Sequence, residues 1–272
     1  MVSRDCVVVG SWREGDGTLP FPPMTEADTK PGLPVIDVTE YGGTRGGVRQ
    51  SMDRRLFMHL VVFDELRSDG GDAVDVGRAF GEAIGKEGLA SVFYADAVSP
   101  RGYGLLTWNE DPGKLVGAVR RLFAAPFSAR VALRSGWAMI GRTYATGHEP
   151  DLEYTLLRRP VEQVLNHAHP WHIWYPLRRT PAFSSLESHE QSQVLREHAQ
   201  IGMAYGASEL AHDVRLACYG LDAADNEFII GLCGKDLHPL SHLVQAMRRT
   251  RQTREYIAQM GPFFVGRVLE RP

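Results

Sequence analysis

The sequence predicts an α+β protein built from two consecutive ferredoxin-like modules with antiparallel sheets, and three observations carry this. Strand-like and helix-like stretches follow the order strand, helix, strand, strand, helix, strand. That order occurs twice. The same punctuation opens the second helix of each copy: Asn109-Glu110-Asp111-Pro112 and Lys235-Asp236-Leu237-His238-Pro239 both place an acidic residue and a proline before an apolar-periodic run. Two such modules can join their sheets, leaving one face of each to be covered by helices and the other to meet its partner or a cofactor.

Residues 11–50 hold much of the proline and glycine (GDGTLPFPPM, KPGLP, YGGTRGG) and read as an extended arm, with at most a short strand at Val35 to Val38. The first module follows. Leu56, Met58, Leu60, Val62 and Phe63 alternate as in a strand, and Val74 to Lys86 is helical with Val76, Phe80 and Ile84 on one stripe. Leu89 to Tyr94 and Gly102 to Trp108 are strands. A helix opens at Pro112 with Leu115, Val116, Val119 and Leu122 on one face, and Trp137 to Thr143 closes the module.

The second copy runs His172 to Leu177 (strand), Leu186 to Tyr205 (helix), Val214 to Tyr219 and Phe228 to Cys233 (strands), Pro239 to Met247 (helix) and Phe263 to Leu269 (strand). This gives an arm at 1–51, a first module at 52–155 and a second at 156–272.

With 272 residues, 43% of them hydrophobic, the chain can fill a sizeable core without staples. Three cysteines, Cys6, Cys218 and Cys233, are too few and too irregular for a disulfide framework or a thiolate metal site, which makes a cytosolic address the default. The start, MVSRDCVVVG, lacks the features of a secretory signal, and no stretch approaches a membrane span. Thirty basic and thirty-three acidic residues leave a formal charge of -3 and no broad positive field for nucleic acid. There is no GxGxxG, no HExxH and no GxSxG serine, so nucleotide, metalloprotease and serine-hydrolase readings have no anchor.

Histidines are the informative residues. In the long helix of the second module, Ser184 to Glu187 form a capping box, and His198 shares an apolar side with Val194, Leu195, Ile201, Gly202 and Tyr205. An imidazole there is either a core residue bonded to a carbonyl or a ligand to a metal or haem. Gly202, one turn on, costs the helix about 1 kcal/mol relative to alanine and leaves room for a flat ring. His167, His169 and His172 in NHAHPWHIWY are the densest cluster; His167 and His169 would share a strand face and suit zinc, but Pro170 interrupts the strand and no spaced carboxylate completes the set. These are read as packing and surface residues.

WYPLRR at 174–179, REHAQIGMAY at 196–205, GLDAADNEFIIGL at 220–232, MRRT at 247–250 and GPFFVGR at 261–267, with LFMHLVVF at 56–63, together resemble the chlorite dismutase superfamily, which includes coproheme decarboxylases. The resemblance implies a dimeric α+β barrel fold and a homo-oligomer, commonly a pentamer, with haem b or coproheme held by the second module. It makes His198 the axial iron ligand and asks for a second-shell acceptor, for which Gln252 or Glu255 are the candidates. Tyr175 in Tyr175-Pro176-Leu177-Arg178-Arg179, 23 residues before His198, matches the decarboxylase tyrosine thought to become a radical.

Propionates need cations and hydroxyls, for which Arg248, Thr253 and Arg179 are the candidates. On the opposite, distal side, counting back from Gly220 gives Asp213 where chlorite dismutases carry arginine, in a segment (GASELAHDVRL) about two residues longer than usual. His212 or Arg215 then takes the polar role there, as in a peroxidase. The implied activity is a haem-dependent oxidoreduction with a small oxidant such as hydrogen peroxide, coproheme decarboxylation or a peroxidase-like reaction; a haem carrier or sensor is the non-catalytic alternative.

Overall fold

In the computed structural model, residues 32–66 and 75–271 are described. Residues up to Val38 form one unit and Thr39–Pro272 a second, compact one. The strand expected at Val35 to Val38 does not form, and its apolar side chains are exposed. A hairpin of β1 (Glu40–Arg45) and β2 (Val48–Met52) follows instead, turning at Gly46 and Gly47, both at positive φ.

The first module comprises β3 (Phe57–Glu65), α1 (Val76–Glu87), β4 (Ser91–Asp96), β5 (Gly102–Asn109), α2 (Pro112–Leu122), a short β6 (Val131–Leu133) and β7 (Met139–Arg142). Asp75 and Asp111 cap the two helices, Asp75 accepting the Arg78 N–H and Asp111 those of Gly113 and Lys114, with Pro112 in the first turn of α2. The residue after Leu115 departs from expectation: Val116 is exposed, and Ala118 takes the inward position.

A π-turn at Tyr154–Arg158 and helix α3 (Arg159–Leu165) lead to the second module. Its elements are β8 (Trp171–Arg179), α4 (Pro181–Ser184), α5 (Ser188–Ala207), β9 (His212–Ala217), β10 (Phe228–Gly234), α6 (Leu237–Met247), α7 (Arg251–Tyr256), β11 (Ile257–Met260) and β12 (Phe264–Glu270). Here α5 starts later than expected. Ser184 belongs to α4, Glu187 occupies the N-cap without a side-chain bond, and the capping box is absent.

The strands join in the order β10-β9-β7-β3-β5-β4-β12-β8, and β10 also pairs with β8, so the two modules close into one antiparallel barrel. The inward face is mainly apolar: Met58, Leu60, Val62, Val92, Tyr94, Leu106, Trp108, Trp174, Val214, Leu216, Ile229 and Phe264 share one core, with His172 buried beside Tyr94. Each large side chain buried there stabilises by roughly 1.5–3 kcal/mol. Gly231 sits opposite Trp174 in the β8–β10 register, and a Cβ on it would lie 2.5 Å from the indole, so only glycine leaves the ring its place. Outside the barrel lie further cores, the larger two under α1 and α2 and under α5 and α6, and a small one of Phe183, Val194 and Tyr256.

Candidate active site

Side chains alternate along β8, β9 and β10. With Trp174, Val214, Leu216 and Ile229 turned inward, Ile173, Tyr175, Leu177, Asp213, Arg215, Ile230 and Leu232 stand on the outer face. Register then aligns them in rows. Ile230 is the partner of both Arg215 and Tyr175, and Leu232 of both Asp213 and Ile173. Adjacent strands are about 4.8 Å apart, which puts Arg215 and Tyr175 about 10 Å from each other across one apolar residue.

Facing these rows is α5. Ile201 and Tyr205 pack into the same core, as expected, whereas Leu195 is exposed. His198 is half-buried and feels both Arg215 and Asp213. Burial, then the Arg215 cation, hold its pKa below the ordinary histidine value against the opposite pull of Asp213 and Glu197, so the imidazole is neutral. Gly202 has only the Met247 terminal methyl near its missing side chain, at 3.6 Å. The carboxylate of Glu197 accepts the Arg251 backbone N–H at 2.8 Å and ties α7 to α5 beside His198.

The hydrogen-bond partner of His198 is neither Gln252 nor Glu255. Nδ1 lies 3.5 Å from the Thr250 hydroxyl. That hydroxyl donates to the Met247 carbonyl at 2.8 Å and accepts the Thr253 N–H at 3.4 Å, which leaves it one lone pair to accept from His198 Nδ1–H and directs the bare electron pair of Nε2 away from α7. Glu255 is engaged with Arg251 and Arg254 at the surface. Gln252 is buried, with its Oε1 unpartnered. Thr250 is missed from sequence because its place at the α6–α7 junction, as N-cap of α7, emerges only when both helices are set against α5.

Tyr175 is buried and stacks on Phe263 with centroids 4.5 Å apart. Burial, then the Asp213 carboxylate, raise its pKa well above the usual phenol value although Arg248 acts the other way, so it keeps its hydroxyl hydrogen. Arg248 is exposed just after α6, in electrostatic reach of Tyr175. Thr253 faces Thr250, whose hydroxyl lies 3.3 Å from its own. Arg179 does not fit the expected cofactor role. Its Nε donates to Glu227 at 2.8 Å, its Nη2 reaches Tyr219, and its guanidinium lies over Phe183 and Phe228.

Along β9 the structure separates neighbours that the sequence leaves as alternatives. Asp213 is held between Arg159 of α3 and Arg215, whose Nε is 3.0 Å from its carboxylate. Burial pushes the Asp213 pKa up, but the Arg215 and Arg159 cations outweigh it and keep the group ionised. Arg159 is the second residue missed from sequence. His212, one position earlier on the strand, points to the other side. It bonds Glu209 at 3.1 Å and stacks on His169, and so is no partner of His198.

A closed antiparallel barrel with helices outside each half defines the class of dimeric α+β barrel folds. Residues 105–269 match the chlorite dismutase family model, and the chain belongs to that family. No curated protein matches the sequence. Among solved structures, a haem-binding protein from Thermus thermophilus superposes with a TM-score of 0.64 at 17% identity, over 80% of this chain and 92% of that one. A variant chlorite dismutase from Candidatus Nitrospira defluvii gives 0.63 at 13% identity, over 80% and 93%. Among the described residues no helix is long and apolar enough to cross a membrane.

Proposed function

We propose that this protein binds an iron porphyrin, haem b or coproheme, through His198 and carries out peroxide-dependent oxidation there, with the propionates of coproheme as the groups transformed. The observation that carries the reading is the sheet row Arg215–Ile230–Tyr175 facing His198: a neutral imidazole on one side, a guanidinium and a buried, protonated phenol on the other. Gly202, Ile201 and Ile230 would border a flat ring, and Arg248, exposed near Tyr175, would meet a carboxylate at its edge.

When bound, the iron supplies two oxidising equivalents from each peroxide. Tyr175, buried and protonated, would hold the phenolic hydrogen through which one-electron oxidation of a propionate could pass. The balance is one propionic acid group and one hydrogen peroxide to one vinyl, one carbon dioxide and two waters. Arg215 orients the peroxide, with Asp213 and Arg159 fixing the guanidinium. Because Arg215 is shared with Asp213, it is poorly placed to hold an oxyanion by charge alone, which favours peroxide over chlorite. The family pattern also supports a homo-oligomer, with a pentamer the form to test by light scattering.

The test is titration with ferric haem and coproheme, then stoichiometric peroxide with product masses followed. Loss of axial ligation in His198→Ala, and in Tyr175→Phe retained binding without vinyl formation, are the expected results. Unchanged ligation in His198→Ala removes the assignment. Bleaching of coproheme that is identical in wild type and Tyr175→Phe removes decarboxylation and leaves a peroxidase-like oxidoreductase or a haem carrier.

A further inference from the structure

We propose that His169, Glu209 and His212 form a binding site for a divalent transition-metal ion of zinc type, on the side of β9 away from His198. The barrel brings the three residues together: His169 from the α3–β8 connection, Glu209 from the turn between α5 and β9, and His212 from the first position of β9. One ligand atom from each lies within 4.8 Å of the other two. Nitrogen and oxygen ligands around tetrahedral zinc are roughly 3.3–3.5 Å apart, given metal–ligand bonds of about 2.0–2.2 Å, so modest side-chain rotation closes the set. Two imidazoles and one carboxylate suit zinc and leave a position for water, whereas calcium or magnesium would require oxygen ligands throughout.

A second observation points to a ligand. His169 is only 5% exposed, yet its Nδ1 has no hydrogen-bond partner. Buried ring nitrogens are normally satisfied. The backbone around it is fixed from three sides: its carbonyl accepts from Arg271 Nη2 at 2.6 Å and from His172 Nε2 at 3.1 Å, and its amide donates to the Asn166 carbonyl at 2.9 Å. The rings of His169 and His212 lie 4.7 Å apart, and Glu209, the charged member, already bonds His212 Nε2. Glu209 is 79% exposed and gives an ion its way in.

The site has a consequence for the opposite face. His212 and Asp213 are consecutive on a strand, so an ion that fixes His212 also fixes the start of the strand presenting Asp213 and Arg215 to His198.

The experiment uses the full chain, stripped with chelator and titrated with zinc by calorimetry and with cobalt by visible absorption. Wild type should bind one equivalent of either metal, with cobalt d–d bands and a rise in Tm on adding zinc. Loss of an outer-shell contact typically weakens metal sites about 10–100-fold, so loss of a ligand in Glu209→Gln or His212→Asn should weaken binding at least a hundredfold. Glu209→Gln lies at the surface and leaves the core intact. His242→Ala, which removes the exposed imidazole beside His238, should keep the full equivalent. The proposal is overturned if wild type shows no cobalt bands, or if Glu209→Gln and His212→Asn bind as wild type does.

Discussion

The two modules share an order of elements but fill the layer between sheet and helices in opposite ways. In the first, rings occupy it: Phe63 stacks on Phe80 at 4.7 Å, Phe80 meets Phe127 at 4.6 Å, and Phe93 stacks on Tyr103 at 5.4 Å. In the second, the same layer presents Tyr175, Ile230 and Arg215 to a half-buried His198. A duplicated fold can thus fill one copy with stacked rings and gather a phenol, a guanidinium and an imidazole over the aliphatic core of the other. Aromatic pairs add about 0.5–1.5 kcal/mol each beyond area burial, so the closed copy stabilises the barrel that the other shares.

Four changes would break or sharpen this contrast. The largest effect is expected from Phe80→Ala. Emptying the filled layer should cost about 3–5 kcal/mol in urea unfolding, with haem affinity of the folded protein unchanged. Loss of haem affinity without loss of stability would mean that the modules are not divided in this way.

Next comes acid. His172, at the junction of the modules, accepts from Tyr94 at 2.7 Å and donates to the His169 carbonyl, and burial with the nearby Arg271 pushes its pKa down to about 3. The folded form keeps it neutral, while the unfolded chain takes up a proton near pH 6.5. Its contribution is therefore complete above about pH 6.5 and is lost as pH falls toward 3, by up to about 1.4 kcal/mol per pH unit. Urea midpoints between about pH 7 and 4 should show this slope and a flatter one in His172→Gln.

Thr250→Val should weaken haem binding about 10–100-fold by releasing His198 Nδ1, and Thr250→Ser should restore it. An affinity unchanged in the valine variant would remove Thr250 from the site. The smallest effect is that of Tyr175→Phe on stability. The ring and its stack on Phe263 remain, so thermal unfolding should move by less than about 1 kcal/mol.

Most of this architecture was legible because period and punctuation are local. Asp111-Pro112 caps α2 as read, and the alternation along Leu56 to Phe63 appears as β3. Tyr175 and Leu177 share a face, as their spacing requires, and His198 with Gly202 lies on the expected side of α5. What was illegible depends on partners distant in the chain. Thr250 and Arg159 acquire roles only through residues roughly 50 positions away. Arg179 is occupied by Glu227, which sequence order does not bring near it. Sequence alone leaves His212, Asp213 and Arg215 as alternatives, because it does not set the strand phase that turns His212 away from the other two. Likewise, the carboxylate absent around His167 to His172 arrives from Glu209.

Strand phase also decides how this site can change over generations. Because Tyr175 and Arg215 are both counted from Ile230, deleting or inserting one residue within β10 would exchange inner and outer faces. Ile230 would leave the row, and a side chain would arrive where Gly231 makes room for Trp174. Such a step has no half-way version. The pairing of phenol and guanidinium is therefore inherited as a unit, open to gradual variation by substitution at each position and closed to it by changes in length.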